Sequence, residues 1–329
     1  MQVIIPLAGK GTRLRPHTHT VPKPLIKVAG RPVMDWVMDR LAGLDVEELI
    51  FITGHLKGQV EAYARQRYPI PSRFIEQKVQ DGTAGAIHLA RPHVHGPVMI
   101  IFVDTVFDAD LSIVKSGMDD GVIWVKEVED YQRFGVVVTD AAGYMTKIVE
   151  KPREPISKLA NIGLYFVRSV DQMWRGIDHV LQQPANKGEW YLTDAFQWMI
   201  ERGARIRTAE VSGWYDCGTV GTTLETNRIL LAKHGPRGPR GAGARDGAKI
   251  VEPCSIEEGV VIERSTVGPH ASIDAGTIVR DSVVANAIVG RNCRLERVRL
   301  DGAMLGDEVV VEGFAGAASI GSHAEVRGG

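Results

Sequence analysis

The chain has 329 residues, 44% of them hydrophobic, which suffices for a sizeable core and excludes a disordered polymer. Its 39 lysines and arginines nearly balance 40 aspartates and glutamates, so no global basic field draws it to nucleic acid. Three widely spaced cysteines, Cys217, Cys254 and Cys293, argue against a disulfide framework or a zinc site and fit a reducing cytoplasm. No apolar run approaches the roughly 18 residues that span a bilayer. Met1 and Gln2 run straight into the first expected strand, so no charged n-region and h-region is expected there. The expectation is a soluble cytoplasmic protein with no membrane and no nucleic-acid partner.

Residues 3–7 form a short apolar run that reads as a buried strand. It breaks at once into Gly9-Lys10-Gly11-Thr12-Arg13-Leu14-Arg15-Pro16. A strand, then a Gly-x-Gly turn, then clustered cations presents backbone N–H groups and positive charge to a phosphate. Lys23 follows between Pro22 and Pro24, which fix φ and hold it with little slack. These pieces predict a polyphosphate site at the start of the chain. His17 and His19 read as exposed loop positions beside it.

Helix-like and strand-like patterns then alternate. Helical spacing appears at 33–44, 56–68 and 83–90, and strands at 48–53, 73–76 and 98–103. Alternation of this kind predicts a Rossmann-like α/β fold, a mostly parallel sheet with helices on both faces. In such sheets ligands sit beyond the carboxyl ends of strands. Gly11, Gln77 and Asp104 all lie there, so the pattern expects them to face one crevice. After Gly121 come strands at 122–128, 135–138, 145–150 and 163–167 without full helices between them, an antiparallel extension. Helices are expected at 170–181, 192–202 and 220–233, with a strand at 205–211.

The organisation predicted is a catalytic domain over 1–233, a Gly/Pro/Arg linker over 234–248 and a second domain over 249–329. In the last, aliphatics recur every five or six positions: Ile250, Ile256, Ile262, Val267, Ile273, Ile278, Val283 and Ile288. Such a beat marks a parallel β-helix, each residue in turn pointing inward. The stretch suits about four coils, with the beat imperfect after Cys293. An ordinary antiparallel sheet is the alternative.

The first 233 residues resemble the sugar-1-phosphate nucleotidyltransferases, whose signature is a Gly-x-Gly-Thr-Arg-Leu-x-Pro loop followed by Pro-Lys-Pro. The residues from Gly9 to Pro16 and from Pro22 to Pro24 match it. The tail resembles a left-handed hexapeptide-repeat β-helix. The resemblance implies that Leu7, Ala8 and Gly9 line the base and ribose. It implies that Gly11 and Thr12 hold the triphosphate, and that Arg13 and Lys23 stabilise charge at the α-phosphate and leaving pyrophosphate. Gln77, Gly82 and Thr83 match the base-reading segment. Asp104 and Asp216 match the two metal aspartates, and two carboxylates plus phosphate oxygens suit Mg²⁺. The family usually carries glycine where this chain has Val103. Glu150-Lys151-Pro152 resembles the acceptor motif, with Gly135 and Asn161 in the sugar pocket. A structural role is expected for Thr193 or Asp194 near a helix start.

A sugar 1-phosphate is already ionised near neutrality, its second pKa being about 6. Attack on a nucleotide α-phosphate therefore calls for cations and alignment rather than a general base. The residue set fits that demand. The expected substrates are a nucleoside triphosphate, dTTP or UTP preferred, and a sugar 1-phosphate, glucose 1-phosphate preferred. The alternatives are a bifunctional amino-sugar-1-phosphate uridylyltransferase/acetyltransferase, for which the tail offers His270 and His323, and a non-catalytic subunit of the same fold. The tail is expected to serve assembly of a homo-oligomer.

Overall fold

The computed structural model describes residues 1–235 and 247–328. Most of the expected linker falls outside the described residues. The chain forms two compact units, Met1–Gly9 with Val37–Trp214, and Lys10–Trp36 with Tyr215–Gly329. It passes from the first to the second between Gly9 and Lys10.

The first unit is built on a nine-stranded sheet. Its strands are β1 (Gln2–Pro6), β2 (Glu48–Thr53), β3 (Ser72–Glu76), β4 (Val98–Ile101), β5 (Gly121–Glu127), β6 (Gly135–Thr139), β7 (Met145–Glu150), β8 (Leu159–Val167) and β9 (Ile206–Glu210). The main order is β7-β6-β8-β4-β1-β2-β3, with β5 joining β8 to β9. Strands β1, β2, β3 and β4 pair in parallel, with Ile4 opposite both Ile50 and Ile100. All three side chains are fully buried, which explains why these strands read as continuous apolar runs. Strand β8 runs antiparallel to β4, β5 and β6, and β6 to β7, so the expected antiparallel extension is present.

Helices Lys57–Arg67, Thr83–His88, Val170–Leu181 and Leu192–Ile200 accompany the sheet. Met173, Ile177, Phe196 and Met199 enter one apolar core with Ile4, Ile52 and Ile100. Several boundaries differ from expectation, among them the strand expected at 163–167, which begins at Leu159. Strand β4 stops at Ile101, where the backbone turns through Val103 and Asp104 into a strand over Thr105–Asp108. The helix from Val33 ends at Met38 and tightens into a 3-10 turn, Asp39–Leu41, before Gly43.

The second unit holds the segment Lys10–Trp36, helix Val220–His234 and the C-terminal parallel β-helix. Successive coils stack Lys249 on Thr266, Val283, Arg299 and Ala315. Another face stacks Val261 on Ile278, Arg294, Val310 and Glu325. The β-helix is therefore five coils deep, one more than the sequence spacing suggested, and past Cys293 the stacking continues with a register shift between Leu300 and Ala303, in keeping with the imperfect beat there. The inward phase also differs. Val279, Val284 and Val289 enter the β-helix core, whereas Ile278, Val283 and Ile288 point the other way. Each is one of two adjacent β-branched residues. A slip of one residue in a strand exchanges the faces.

Candidate functional site

Each unit carries its own set of the expected site residues. In the second, Gly11 opens the Thr12–Leu14 turn of the candidate phosphate loop at φ 60 and ψ 37, a left-handed conformation. A Cβ there would stand 2.9 Å from Thr18 Cγ2 and 3.3 Å from Lys23 Cβ. Only glycine lets the loop close so tightly on the Thr18 and Lys23 side chains. The Gly11 carbonyl accepts from Leu14 N at 2.9 Å and from Thr18 Oγ1 at 2.9 Å, which fixes the Thr12–Leu14 turn. Leu14 is the buried peg of that turn, while Thr12 and Arg13 are exposed. Lys10 and Arg15 are exposed at the loop's outer edge.

Asp216 belongs to the same unit. Its Oδ1 accepts from Gly218 N at 2.8 Å. A Cβ on Gly218 would lie 2.8 Å from Asp216 Oδ1 and 3.1 Å from Arg13 Nη2. The structure thus brings the Arg13 guanidinium and the Asp216 carboxylate together at the place a side chain on buried Gly218 would fill. Thr226 Oγ1 donates to the Asp216 carbonyl at 2.7 Å, tying the strand end to helix Val220–His234. That helix begins with a capping box between Thr219 and Thr222.

In the first unit the base-reading candidates form one knot. Gln77 is buried, and its Nε2 donates to Asp81 Oδ1 at 2.8 Å and to the Gly82 carbonyl at 3.3 Å. Gly82 has φ +107, and a Cβ there would lie 2.4 Å from the Trp190 carbonyl oxygen. The two chains are stitched by Trp190 N to Asp81 O at 2.8 Å and Ala84 N to Trp190 O at 2.9 Å. Leu192 N donates to Thr83 Oγ1 at 2.8 Å. Leu7 and Ala8 are buried at the end of β1, with Leu7 N bonded to Ile52 O at 2.7 Å, and Gly9 is exposed.

The acceptor candidates gather at the ends of β6, β7 and β8. A Cβ on Gly135 would stand 2.9 Å from Asn161 Nδ2, 2.9 Å from Glu150 Oε2 and 3.1 Å from Thr193 Cγ2. Three polar side chains thus converge over a glycine. Thr193 Oγ1 donates to Glu150 Oε2 at 3.2 Å, and Lys151 Nζ lies 3.5 Å from Glu150 Oε1. Lys151 has φ 44, and its ammonium stands 5.1 Å from the Tyr191 ring centroid. Burial pushes the Glu150 carboxyl above its ordinary range, against the pull of Lys151. The buried Tyr165 phenol beside it is pushed up by burial first, then by the charges of Glu150 and Asp104. Asp104 therefore feels the same buried phenol as Glu150. Among the described residues, no three of His, Cys, Asp and Glu gather as a metal cluster.

A family model described as nucleotidyl transferase matches residues 2–233. A UTP–glucose-1-phosphate uridylyltransferase of Haloferax volcanii is 32% identical over 222 residues, 65% of this chain and 89% of its own. The chain belongs to the sugar-1-phosphate nucleotidyltransferases. A glucose-1-phosphate thymidylyltransferase of Streptomyces griseus is 28% identical and covers nearly all of both, 94% of this chain and 93% of its own. A bifunctional GlmU protein of Methanococcus aeolicus is 31% identical over 81% of this chain, but this chain covers only 61% of it. A UDP-glucose pyrophosphorylase solved with UDP-glucose superposes with TM-score 0.64 at 22% identity, covering 70% of this chain and 98% of its own. That likeness concerns the fold.

Within this nucleotidyltransferase several site neighbours escaped sequence reasoning. Thr193 lies in the first turn of the helix Leu192–Ile200, as expected, but also bonds Glu150, and Tyr191 lies beneath Lys151. Gln80 Nε2 donates to the Ala8 carbonyl at 2.6 Å, so it steadies the backbone expected to line the base. Its position three residues after Gln77 carried no periodic signal. His17 reverses an expectation. It is 3% exposed rather than a loop histidine, and burial pushes its imidazole down to about 4. Asp110 caps Ser112 at the next turn, whereas Asp108 ends a strand and pairs with Arg40.

Proposed function

We propose that this nucleotidyltransferase moves a thymidylyl or uridylyl group from dTTP or UTP to glucose 1-phosphate, with Mg²⁺. The observation that carries the reading is the convergence of Glu150, Asn161 and Thr193 on Gly135, with Lys151 adjoining. Those groups offer acceptors and donors to sugar hydroxyls and one ammonium to a phosphate. Relatives named as glucose-1-phosphate uridylyl- and thymidylyltransferases support glucose and leave both bases in play.

In this reading a phosphate oxygen of the sugar 1-phosphate attacks the α-phosphorus of the triphosphate. A new P–O bond forms, the bond from the α-phosphorus to the bridging oxygen breaks, and pyrophosphate leaves with that electron pair. No proton has to be removed from the nucleophile. Lys151 holds the attacking phosphate and Glu150 takes sugar hydroxyls. Arg13 and Lys23 offset the charge that develops on the nucleotide phosphates, the largest demand in such a displacement. Gln77, Gly82 and Thr83 take the base edge, with Leu7, Ala8 and Gly9 beside the base and ribose. Gly11 and Thr12 hold the triphosphate.

The residues fit Mg²⁺, which takes one or two carboxylates and completes its shell with phosphate oxygens and water. Asp104 and Asp216 would hold it, Asp216 already oriented by Gly218 N. When bound, the ion would neutralise phosphate charge. Pyrophosphate release measured over a panel of triphosphates and sugar 1-phosphates tests the assignment. Turnover with dTTP or UTP and glucose 1-phosphate is expected, and silence across every pair would sink it. A homo-oligomer completes the reading, since coil ends and aliphatic faces invite stacking between chains. Light scattering of the full chain measures it.

A further inference from the structure

The β-helix carries an outward row that ought to be wet. Ser255, Ser272, Ile288, Met304 and Ser319 are register partners in successive coils. Their strand neighbours Ile256, Ile273, Val289 and Leu305 fill the β-helix core, so alternation turns the row itself outward. Yet its first four members are only 1%, 5%, 7% and 3% exposed. Other parts of the same unit cover them. Helix Val220–His234 packs against the strand Arg299–Leu305 and against Lys27–Val28.

The remaining cover is the chain that carries Arg13 and Lys23. At the fifth coil, His17 Nε2 meets Ser319 Oγ at 3.1 Å and Thr20 Oγ1 meets Ser322 Oγ at 3.1 Å. A Cβ on Gly321 would stand 3.0 Å from Pro16 Cβ. At the first two coils, Lys27 pairs with Asp274, and a Cβ on Gly30 would run into Ser255 Oγ at 2.2 Å. Buried Asn227 bolts this end. Its Oδ1 accepts from Ala29 N at 2.8 Å and Ser272 Oγ at 2.7 Å, and its Nδ2 donates to His270 O at 3.0 Å. The segment over 16–30 is thus a strap laid along one β-helix face from the last coil to the first. Four steps of about 4.8 Å make its span roughly 19 Å. Lys23 lies between the two anchors, and Arg13 just before the first.

We propose that the β-helix is the positioning frame of the phosphate loop. Ser319 and Ser322 at one end, and Asp274 with Asn227 at the other, hold the strap so that Arg13 and Lys23 meet the nucleotide already ordered. These are positioning residues. The proposal rests on the nucleotide-transfer reading for its consequence and on the strap contacts for its substance. The acceptor residues all belong to the other unit, so the frame acts on the triphosphate and leaves the sugar phosphate alone.

The test uses the full-length chain with S319A/S322A. Ser319 is exposed and Ser322 half-exposed, so the β-helix core stays intact. Two hydrogen bonds to the strap, each worth roughly fivefold in an equilibrium constant, are removed, together with one inside the β-helix from Asp307 N to Ser322 Oγ at 3.1 Å. Backbone amides over 12–26 should exchange with solvent at least tenfold faster. The KM for triphosphate should rise roughly tenfold, with the KM for sugar 1-phosphate unchanged. A second pair tests the far anchor. D274K should raise the same KM, and K27D/D274K should restore it. Unchanged exchange in S319A/S322A overturns the frame, whether or not the wild type turns over any substrate. Faster exchange with an unmoved triphosphate KM, or equal shifts in both KM values, overturns it as well. A wild type silent on every substrate pair counts against the transfer reading alone, and exchange still decides the frame.

Discussion

The sharpest perturbation of the acceptor cluster is a single methyl group. Gly135 has an ordinary backbone conformation, outside the positive-φ glycines, so Gly135→Ala asks nothing of φ and tests packing alone. The new carbon would sit 2.9 Å from Asn161 Nδ2, 2.9 Å from Glu150 Oε2 and 3.1 Å from Thr193 Cγ2, all inside van der Waals contact. None of the three can simply swing away. Glu150 is held by Thr193 and Lys151, and Asn161 Oδ1 accepts from Gly163 N at 2.8 Å. Overpacking of this kind costs about 1–3 kcal/mol. If that cost falls on the acceptor geometry, kcat/KM for the sugar 1-phosphate drops roughly 5- to 150-fold. Pyrophosphate release at saturating triphosphate, with the sugar phosphate varied, measures it. The triphosphate KM should hold. A G135A protein within twofold of wild type would refute the cluster as the acceptor site, and so would equal shifts in both KM values.

Other expectations follow from the same structure. Gly82→Ala places a Cβ 2.4 Å from the Trp190 carbonyl at φ +107, so triphosphate KM should rise at least tenfold in steady-state kinetics while the sugar-phosphate KM stays put. Asp104→Ala and Asp216→Ala should each cost at least a hundredfold in kcat, and EDTA should stop the wild type until Mg²⁺ is restored; a wild-type rate in D104A would remove that aspartate from the metal assignment. For His17 the sign runs with pH. Its folded pKa, about 4, lies below the unfolded 6.5, so the neutral form stabilises the fold fully above pH 6.5, and that contribution is lost as pH falls toward 4. The loss amounts to about 3 kcal/mol. Urea unfolding at pH 7 and pH 4 should show it in wild type and not in H17Q, and identical pH slopes would contradict it.

The legible part of the chain is local in sequence. The Gly9–Pro16 loop announces itself because Gly11 must adopt a left-handed turn close to Lys23, a demand met within a dozen residues. Glu150 and Lys151 were visible as a motif at the end of β7. The illegible part is made by long-range contacts between ordinary residues. Thr193 reaches Glu150 across 43 positions, and nothing near Thr193 in the chain marks it. His17 looked like loop because its partner, Ser319, lies 302 positions away. A histidine in a polar stretch reads as solvated until the surface that buries it is known.

The β-helix phase error carries more information than a matching prediction would have. A strand with adjacent β-branched residues, such as Ile288-Val289, can be read in either register, and spacing alone chose Ile288 as the inward one. The structure turns Val289 inward and still buries Ile288. An isolated β-helix would have no use for an aliphatic on that outer face, where it would be exposed. Val283, also outward but on the neighbouring face, is 36% exposed. The contrast separates a face that meets solvent from a face that carries a docked segment. Outward side chains that are buried along one ladder of a solenoid therefore mark where another part of the chain lies. Here that part includes the strap between Arg13 and the first coil. The tail read from spacing as an assembly module is, on this face, built into the same compact unit as the phosphate loop. A shortened chain ending near Lys233 would remove the surface that orders Lys23, and so should lose triphosphate affinity before it loses the nine-stranded sheet.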